Sequence, residues 1–436
     1  MPVFALAATV MLETGERGSL SQAAEGIQAH FHVSDFWIGA LPTSLTLIGV
    51  LGSIPFGHLA DRMRRTFLLA GAMAVWTLII GLSALAPTFI FLITVRLGIG
   101  IVEANGPAAV SLLSDYYPVK DRAKKIGLYN SGGLVGGALG LGLAGVFVDS
   151  WGWRAAFWMW IPFGIATVWL LLRIPEPERG DQDADFHLDL DPMESIDASE
   201  LAGRLDLPPP NRVSDLDYEN CTWRDAYREM LKIRSMWFGV IGITVSSALL
   251  SGLQFWGVPF FKEVHHLSAS AAGGYVIVFG LGAGLGVVSG GFIADRLLQQ
   301  GIVNARIYVC VVSSVLATIA FVPGFASSNL WVTLPLFLVG GFFLTVPLAP
   351  ADALLTDVVV APLRGRAAAL RSIVRAIGGV MPLVIGGLKA VMGLQAALIV
   401  VTPAYAIGGL IMLFAARSYP ADLAFVAAES RRLRDQ

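Results

Sequence analysis

Apolar runs long enough to cross a bilayer recur near residues 36 to 59, 66 to 86, 88 to 115, 126 to 148, 152 to 174, 236 to 261, 269 to 294, 305 to 325, 329 to 357, 367 to 392 and 395 to 416. About 20 residues of helix match the hydrocarbon thickness of a membrane, so each run predicts one transmembrane helix. Residues 2 to 31 supply another, apolar from Pro2 to Leu12 and then carrying Glu13, Glu16 and Arg17. It lacks the cationic start of a signal peptide, and its helical pattern continues past the apolar run, so a retained first span is expected. Numbered in chain order, the segments predict an all-α membrane protein of twelve helices.

Composition agrees with that pattern. Of 436 residues, 55% are hydrophobic and 14% charged, against about 25% charged in soluble domains. The two cysteines, Cys221 and Cys310, cannot make a disulfide framework or a C-x-x-C site. His30-x-His32 and His265-His266 lack a third ligand at coordinating spacing, and neither a nucleophile–histidine–acid set nor a GxxxxGK[ST] phosphate loop is present. The expected protein is not an enzyme, binds no metal, cofactor or nucleic acid, and is not an ATP-driven pump. Movement of a solute would draw on an ion gradient or on the solute's own gradient.

Pro175 to Ser235 interrupts the apolar runs with 16 of the 32 acids and the run Pro208-Pro209-Pro210, the signature of a solvated linker. The predicted organisation is a six-helix bundle over 1–174, an acidic linker over 175–235, a second bundle over 236–417 and a tail over 418–436. The bundles echo each other. Gly57-His-Leu-Ala-Asp61-Arg62 returns as Gly291-Phe-Ile-Ala-Asp295-Arg296, and Asp115 with Arg122 returns as Asp357 with Arg364 and Arg366. Two duplicated six-helix halves are the plan of major facilitator transporters, whose solute site lies between the halves near the midplane. Of the 30 Lys and Arg, 23 fall on the side holding the linker, only Arg154, Lys262 and Lys389 fall on the other, and four lie inside segments. The positive-inside rule then places both termini and the linker in the cytoplasm of a cell-membrane protein.

A charge inside hydrocarbon costs on the order of 3 kcal/mol even on lenient scales, so the intramembrane charges are functional candidates. Arg96 and Glu103 stand seven apart, two turns on one face of segment four. Glu13 and Arg17 are spaced to pair along segment one, which leaves Glu16 in need of another partner. Such charges either brace helices as fixed ion pairs or place a protonatable carboxylate beside an arginine, the balance a proton-coupled carrier requires. Arg371 and Arg375 share a face of segment eleven. They either pair with Asp352 or Asp357 or hold a solute's anionic headgroup. Asp61, Arg62 and Arg122, with Asp295, Arg296 and Arg366, are expected to form a cytoplasmic latch between the halves, while Arg64 and Arg65 read as snorkelling side chains. Gly132, Gly133, Gly136, Gly137, Gly140 and Gly142 predict close helix packing by segment five. Phe36, Trp37, Trp151 and Trp153 read as an interfacial aromatic belt.

Several stretches carry a family resemblance. Arg96-Leu-Gly-Ile-Gly-Ile-Val-Glu103-Ala-Asn, Ser111-Leu-Leu-Ser-Asp115-Tyr-Tyr-Pro, Gly152-Trp-Arg154-Ala-Ala-Phe, Glu16-Arg17 and Trp256-Gly-Val-Pro259 together resemble the Spinster branch of the major facilitator superfamily. Its usual patterns are R-G-x-x-G-x-G-E-A in helix four, Asp-Arg in helix one and W-A-P in helix seven. Val102, Glu16 and Glu13-Thr-Gly depart from them. The resemblance implies proton-linked, alternating-access movement of a lysophospholipid or similar single-chain lipid, with Glu16, Arg17, Arg96 and Glu103 as coupling residues. A solute cavity is expected between Ser251, Gln254, Phe255 and Trp256 on one side and charges including Glu13 on the other. The alternatives are an exporter of hydrophobic drugs or organic anions and a non-transporting membrane receptor or scaffold. The expected partners are the solute, protons and the bilayer, with the chain a monomer.

Overall fold

Helices account for nearly all of the computed structural model, which describes residues 2–117, 119–177, 207–209 and 221–434. Among the described residues no strand occurs, and the chain makes twelve helical passes. Helices one, two and three are Pro2–Phe31, Asp35–Arg62 and Arg65–Ala84. Helix four runs over Phe89–Val102 and resumes at Gly106–Tyr116 after a 3-10 turn at Glu103–Asn105, and helix five is Val119–Trp151. Helix six comprises Ala155–Trp158 and Ile161–Arg173. Helices seven, eight and nine are Arg234–His265, Ala269–Gln299 and Ala305–Ala326. Helix ten is Leu330–Thr345 with Leu348–Asp357, helix eleven Arg364–Ala376 with Met381–Met392, and helix twelve Leu394–Val401 with Pro403–Met412. Nine stretches of the described chain are long and apolar enough to cross a membrane by length and composition, Phe89–Val102 of helix four is a shorter apolar helix, and helices one and two fall outside that measure.

The ends are set by local chemistry. Thr88 Oγ1 accepts from Phe91 N at 3.2 Å and Asn329 Oδ1 from Trp331 N at 3.0 Å, satisfying orphan donors where helices four and ten begin. Helices one and seven each give way to a left-handed histidine, His32 (φ 52°) and His266 (φ 55°), 234 positions apart. That non-glycine conformation, repeated at equivalent places, is a backbone mark of the duplication.

The described chain divides into two compact units that cut across the sequence halves: Met1–Asp191 with Gly252–Ile277 and Gly379–Ala397, and Pro192–Ser251 with Val278–Gly378 and Leu398–Gln436. In the first unit, helix five lies against helix one along a glycine seam. A Cβ at Gly132, Gly136 or Gly140 would collide with the carbonyl oxygens of Ala7, Met11 or Gly15. Close approach of this kind replaces the hydrophobic effect, which is absent between helices in lipid. In the second unit, Gly282, Gly286 and Gly290 of helix eight meet the carbonyls of Leu338, Phe342 and Val346 in the same manner.

Of the segment expected as a solvated linker, residues 178–206 and 210–220 lie outside the described residues. Its end carries a helix, Trp223–Leu231, capped by Thr222 Oγ1 accepting from Asp225 N at 3.3 Å. Ala226 and Met230 of that helix are buried with Met236, Leu355 and Tyr419 in the core of the second unit. Apolar residues four apart explain why this stretch docks.

Candidate functional site

The charges of helices one and four meet in the first unit. Arg96 Nη2 donates to Glu16 Oε1 at 2.7 Å, both side chains wholly buried, with the guanidinium 5.4 Å from the Phe157 ring centre. Arg17 Nη2 donates to Glu103 Oε2 at 2.6 Å; Arg17 is 60% exposed and Glu103 7%. Glu13 Oε1 accepts from Asn105 Nδ2 at 2.6 Å. The expected pairing of Glu13 with Arg17 along helix one therefore gives way to crossed pairs between helices, and Glu16 finds its partner in Arg96. The seven-residue stripe from Arg96 to Glu103 ends in the 3-10 turn, which carries both Glu103 and Asn105. Asn105 was not among the expected residues, although an asparagine two positions from an intramembrane glutamate is itself a signal, since its amide also needs a partner in hydrocarbon.

A second set of polar contacts ties the ends of helices one and two to those of seven, eight and eleven within the same unit. Lys389 Nζ lies 2.9 Å from Asp35 Oδ1, pairs with Glu263 and sits 5.0 Å from the centre of the Trp256 ring, while Gln28 Nε2 donates to Asp35 at 2.9 Å. Trp256 Nε1 donates to Pro382 O at 2.8 Å, Ser21 Oγ donates to Phe255 O, and Lys262 pairs with Glu25. Phe255 and Trp256 are thus buried in a clamp in this conformation. Gln254 is exposed and Ser251 half-buried. Trp153 leaves the aromatic belt as well, buried among Phe31, His30 and Phe157, with Arg154 over its ring at 4.3 Å.

Each unit holds an arginine near the start of a helix, buried in the first and half-buried in the second. In the first, Arg65 pairs with Asp115 and with Glu176 at 3.1 Å, and Glu176 also accepts from Thr66 N at 2.8 Å. Arg65 is 3% exposed, so it does not snorkel; Arg64 is exposed. Burial raises the Glu176 carboxyl, but the hydrogen bonds from Thr66 and Arg65 outweigh it and hold the group below the ordinary glutamate value. In the second unit, Arg306 pairs with Asp357, whose Oδ2 accepts from Tyr419 Oη at 2.7 Å. Burial pushes the Tyr419 phenol up to about 12, which keeps it a donor. Arg306 lies 241 positions after Arg65, Asp357 242 after Asp115 and Tyr419 243 after Glu176. The duplicated Asp115 and Asp357 therefore anchor the helix immediately before their own in each half.

The remaining expected residues do not converge on one site. Arg371 Nη1 and Arg375 Nη1 stand 3.3 and 3.7 Å from the same oxygen, Asp352 Oδ1. Of the expected latch, Asp295 is exposed and 3.8 Å from Arg306 of its own unit, Arg62 and Arg296 are exposed, and Arg366 Nη1 donates to Cys221 Sγ at 2.6 Å. Asp61 and Arg122 fall in helices two and five, with side chains outside the described residues.

The sequence profile of the Major Facilitator Superfamily matches residues 6–381. The chain belongs to that superfamily. Among its major facilitator relatives, a protein of Escherichia coli (strain K12) named "Probable L-galactonate transporter" is 24% identical over 310 residues, 70% of this chain and 64% of its own length. The chain thus spans a little under two thirds of that relative. An Arabidopsis thaliana protein named "Probable sphingolipid transporter spinster homolog 3" is 24% identical over 367 residues, 82% of this chain and 69% of its own. Among solved structures, a bacterial homologue of the human lysosomal transporter Spinster, in an inward-facing and occupied conformation, superposes with a TM-score of 0.77 at 20% identity, covering 96% of this chain and 97% of that one. Both the fold and the resemblance to Spinster proteins are therefore those of a major facilitator transporter, and not of an enzyme.

Proposed function

We propose that this major facilitator protein is a proton-coupled secondary carrier, working by alternating access, for an amphiphilic anion of the lysophospholipid kind. The observation that carries the reading is the crossed pair of ion pairs, Glu16 with Arg96 and Glu103 with Arg17, at the positions where the Spinster pattern places its coupling charges. A carboxylate that exchanges an arginine for a proton can report solute binding to the bilayer-spanning scaffold, because the neutral acid and the ion pair favour different arrangements of the helices. Arg17 is the accessible member, and an anionic headgroup that competes for it would free Glu103 to be protonated. Arg371 and Arg375, which share one aspartate oxygen among the described residues, remain a second candidate for that headgroup. The excess of Lys and Arg on the linker side orients the chain with both termini in the cytoplasm of the cell membrane.

A second reading is an organic-anion carrier, favoured by the relative named for L-galactonate. Counterflow of labelled lysophosphatidylethanolamine and of labelled galactonate into proteoliposomes separates the two. The lipid reading expects an acid-driven overshoot with the lysolipid that Glu103→Gln abolishes while leaving exchange intact. Overshoot with galactonate alone would select the organic anion, and none with either would turn the search to drugs or to a receptor.

A further inference from the structure

Three carboxylates and two guanidinium groups share the cluster in helices one and four, and this count does not balance. Glu16 has Arg96 and Glu103 has Arg17, so Glu13 is left with the neutral amide of Asn105, 2.6 Å away. The positive groups facing it, Arg17 and Arg96, are each already paired with another acid. On its own helix stand Glu16 and Arg17, both engaged; helix four and its turn contribute Arg96, Glu103 and Asn105; helix five contributes the Tyr129 phenol. With every acid ionised the cluster would carry one net negative charge spread over three neighbouring carboxylates, Glu16 wholly buried and Glu13 half-buried.

The hydrogen bonds leave buried atoms of both kinds. Asn105 is wholly buried, its Nδ2 serves Glu13 and Val102 O, and its Oδ1 meets no donor among the described residues. Glu103 Oε1 and Glu16 Oε2 are likewise buried acceptors without a donor, and Arg96 Nε and Nη1 are buried donors without an acceptor among the described residues. The imbalance that remains is one of charge, and a proton on a carboxyl oxygen removes it.

We propose that Glu13 carries a proton of its own in this state, making it a second proton-carrying carboxylate beside the arginine-paired acids, so that proton movement in this carrier involves one more site than the paired acids provide. The site is particular to this chain, because Glu13 lies in the Glu13-Thr-Gly stretch that departs from the Spinster pattern. The role in transport rests on the proton-coupled reading above; the protonation itself does not.

Infrared difference spectroscopy of the purified protein, titrated in sodium-free buffer, reads the protonation without any solute. The wild type is expected to show the carbonyl stretch of a protonated buried carboxyl at pH 7, and Glu13→Gln to lose it. Glu103→Gln removes one negative charge and balances the cluster, so the band is expected to survive only to a lower pH there than in the wild type. Should Glu13→Gln fail to fold, the Glu103→Gln shift still decides. A wild type without the band at pH 7, a band that persists in Glu13→Gln, or a midpoint unmoved in Glu103→Gln would each overturn the proposal. A failure of acid-driven counterflow in the wild type would instead overturn the carrier reading and leave this one standing.

Discussion

Helix four stops at Val102 and resumes at Gly106, and helix ten stops at Thr345 and resumes at Leu348. Glu103 lies twelve residues before Asp115, and Thr345 twelve before Asp357; Arg96 lies nineteen before Asp115, where helix ten has Leu338. In helices one and seven, aligned on His32 and His266, Glu13, Glu16 and Arg17 correspond to Ser247, Leu250 and Ser251. The interruption is thus a property of the duplicated scaffold, whereas all five charges belong to one half. Thr345 fills its place with a hydrogen bond from Oγ1 to Ala283 O at 2.6 Å, a neutral solution to the same problem of polar groups at a break. Helix ten shows that the break needs no acid, so the acid in helix four is there for something other than bending the chain.

The sharpest way to break the contrast is Arg96→Leu, which gives helix four the residue of helix ten. It strands Glu16 in a wholly buried site, and losing one partner of a buried pair costs about 3 to 5 kcal/mol. The expected result is a large drop in detergent unfolding temperature, recovered in the double variant Arg96→Leu with Glu16→Leu, which stays unable to accumulate solute against a gradient. Full accumulation by the double variant would make this pair a brace only.

A next smaller effect separates the two arginine anchors. Arg65→Ala takes the shared cation from two carboxylates, Asp115 and Glu176, while Arg306→Ala takes it from Asp357, to which a phenol still donates. Arg65→Ala should therefore destabilise more, by about 1 to 3 kcal/mol beyond Arg306→Ala, the cost of a second buried charge losing a partner. Equal losses in thermal unfolding would mean that the second acid adds nothing. Smaller again is Thr345→Val, expected to cost about 1 kcal/mol of stability with coupling unchanged, where Glu103→Thr keeps stability closer to the wild type and abolishes acid-driven uptake.

The smallest effect depends on pH. Glu176 is held below its ordinary value of 4.5, so the folded state favours its ionised form. Its contribution is present in full above that value and is lost as the pH falls beneath it. The gap in unfolding temperature between wild type and Glu176→Gln should therefore be constant near neutrality and close on acidification. Solvent screening of this partly exposed group limits it to under about 1 kcal/mol. A gap that widens in acid would contradict the assigned hydrogen bonds.

Most of the architecture was legible in the chain because the membrane enforces it: spans must be apolar and about 20 residues long, and small residues mark where helices touch. The glycines of segment five did predict a close neighbour, and it is helix one. Arg96 and Glu103 stood out as charges in hydrocarbon for the same reason. Their partners did not, because spacing along one helix says nothing of which side chain a neighbouring helix presents. Glu13 and Arg17 can pair at i, i+4, yet Asn105 and Glu103 reach them first. Arg65 reads as a snorkelling residue from its place at a segment edge, and only the fold brings Asp115 and Glu176 to it. The offset near 242 that links Asp115 to Asp357 held the clue, since a duplicated acid implies a duplicated cation.

The seam between helices one and five has a consequence for how the molecule can move. At Gly132, Gly136 and Gly140 helix five presents no side chain and its backbone meets the carbonyls of helix one directly, so rotamer changes on helix five give no room for one helix to slide along the other. A shift of one residue would drive a carbonyl oxygen into a Cα. The pair is then expected to travel as one lever, with Tyr129 kept beside Glu13. The cost of changing shape then falls on joints elsewhere, and alanine in the seam should throttle the folding of the lever long before it alters the stroke.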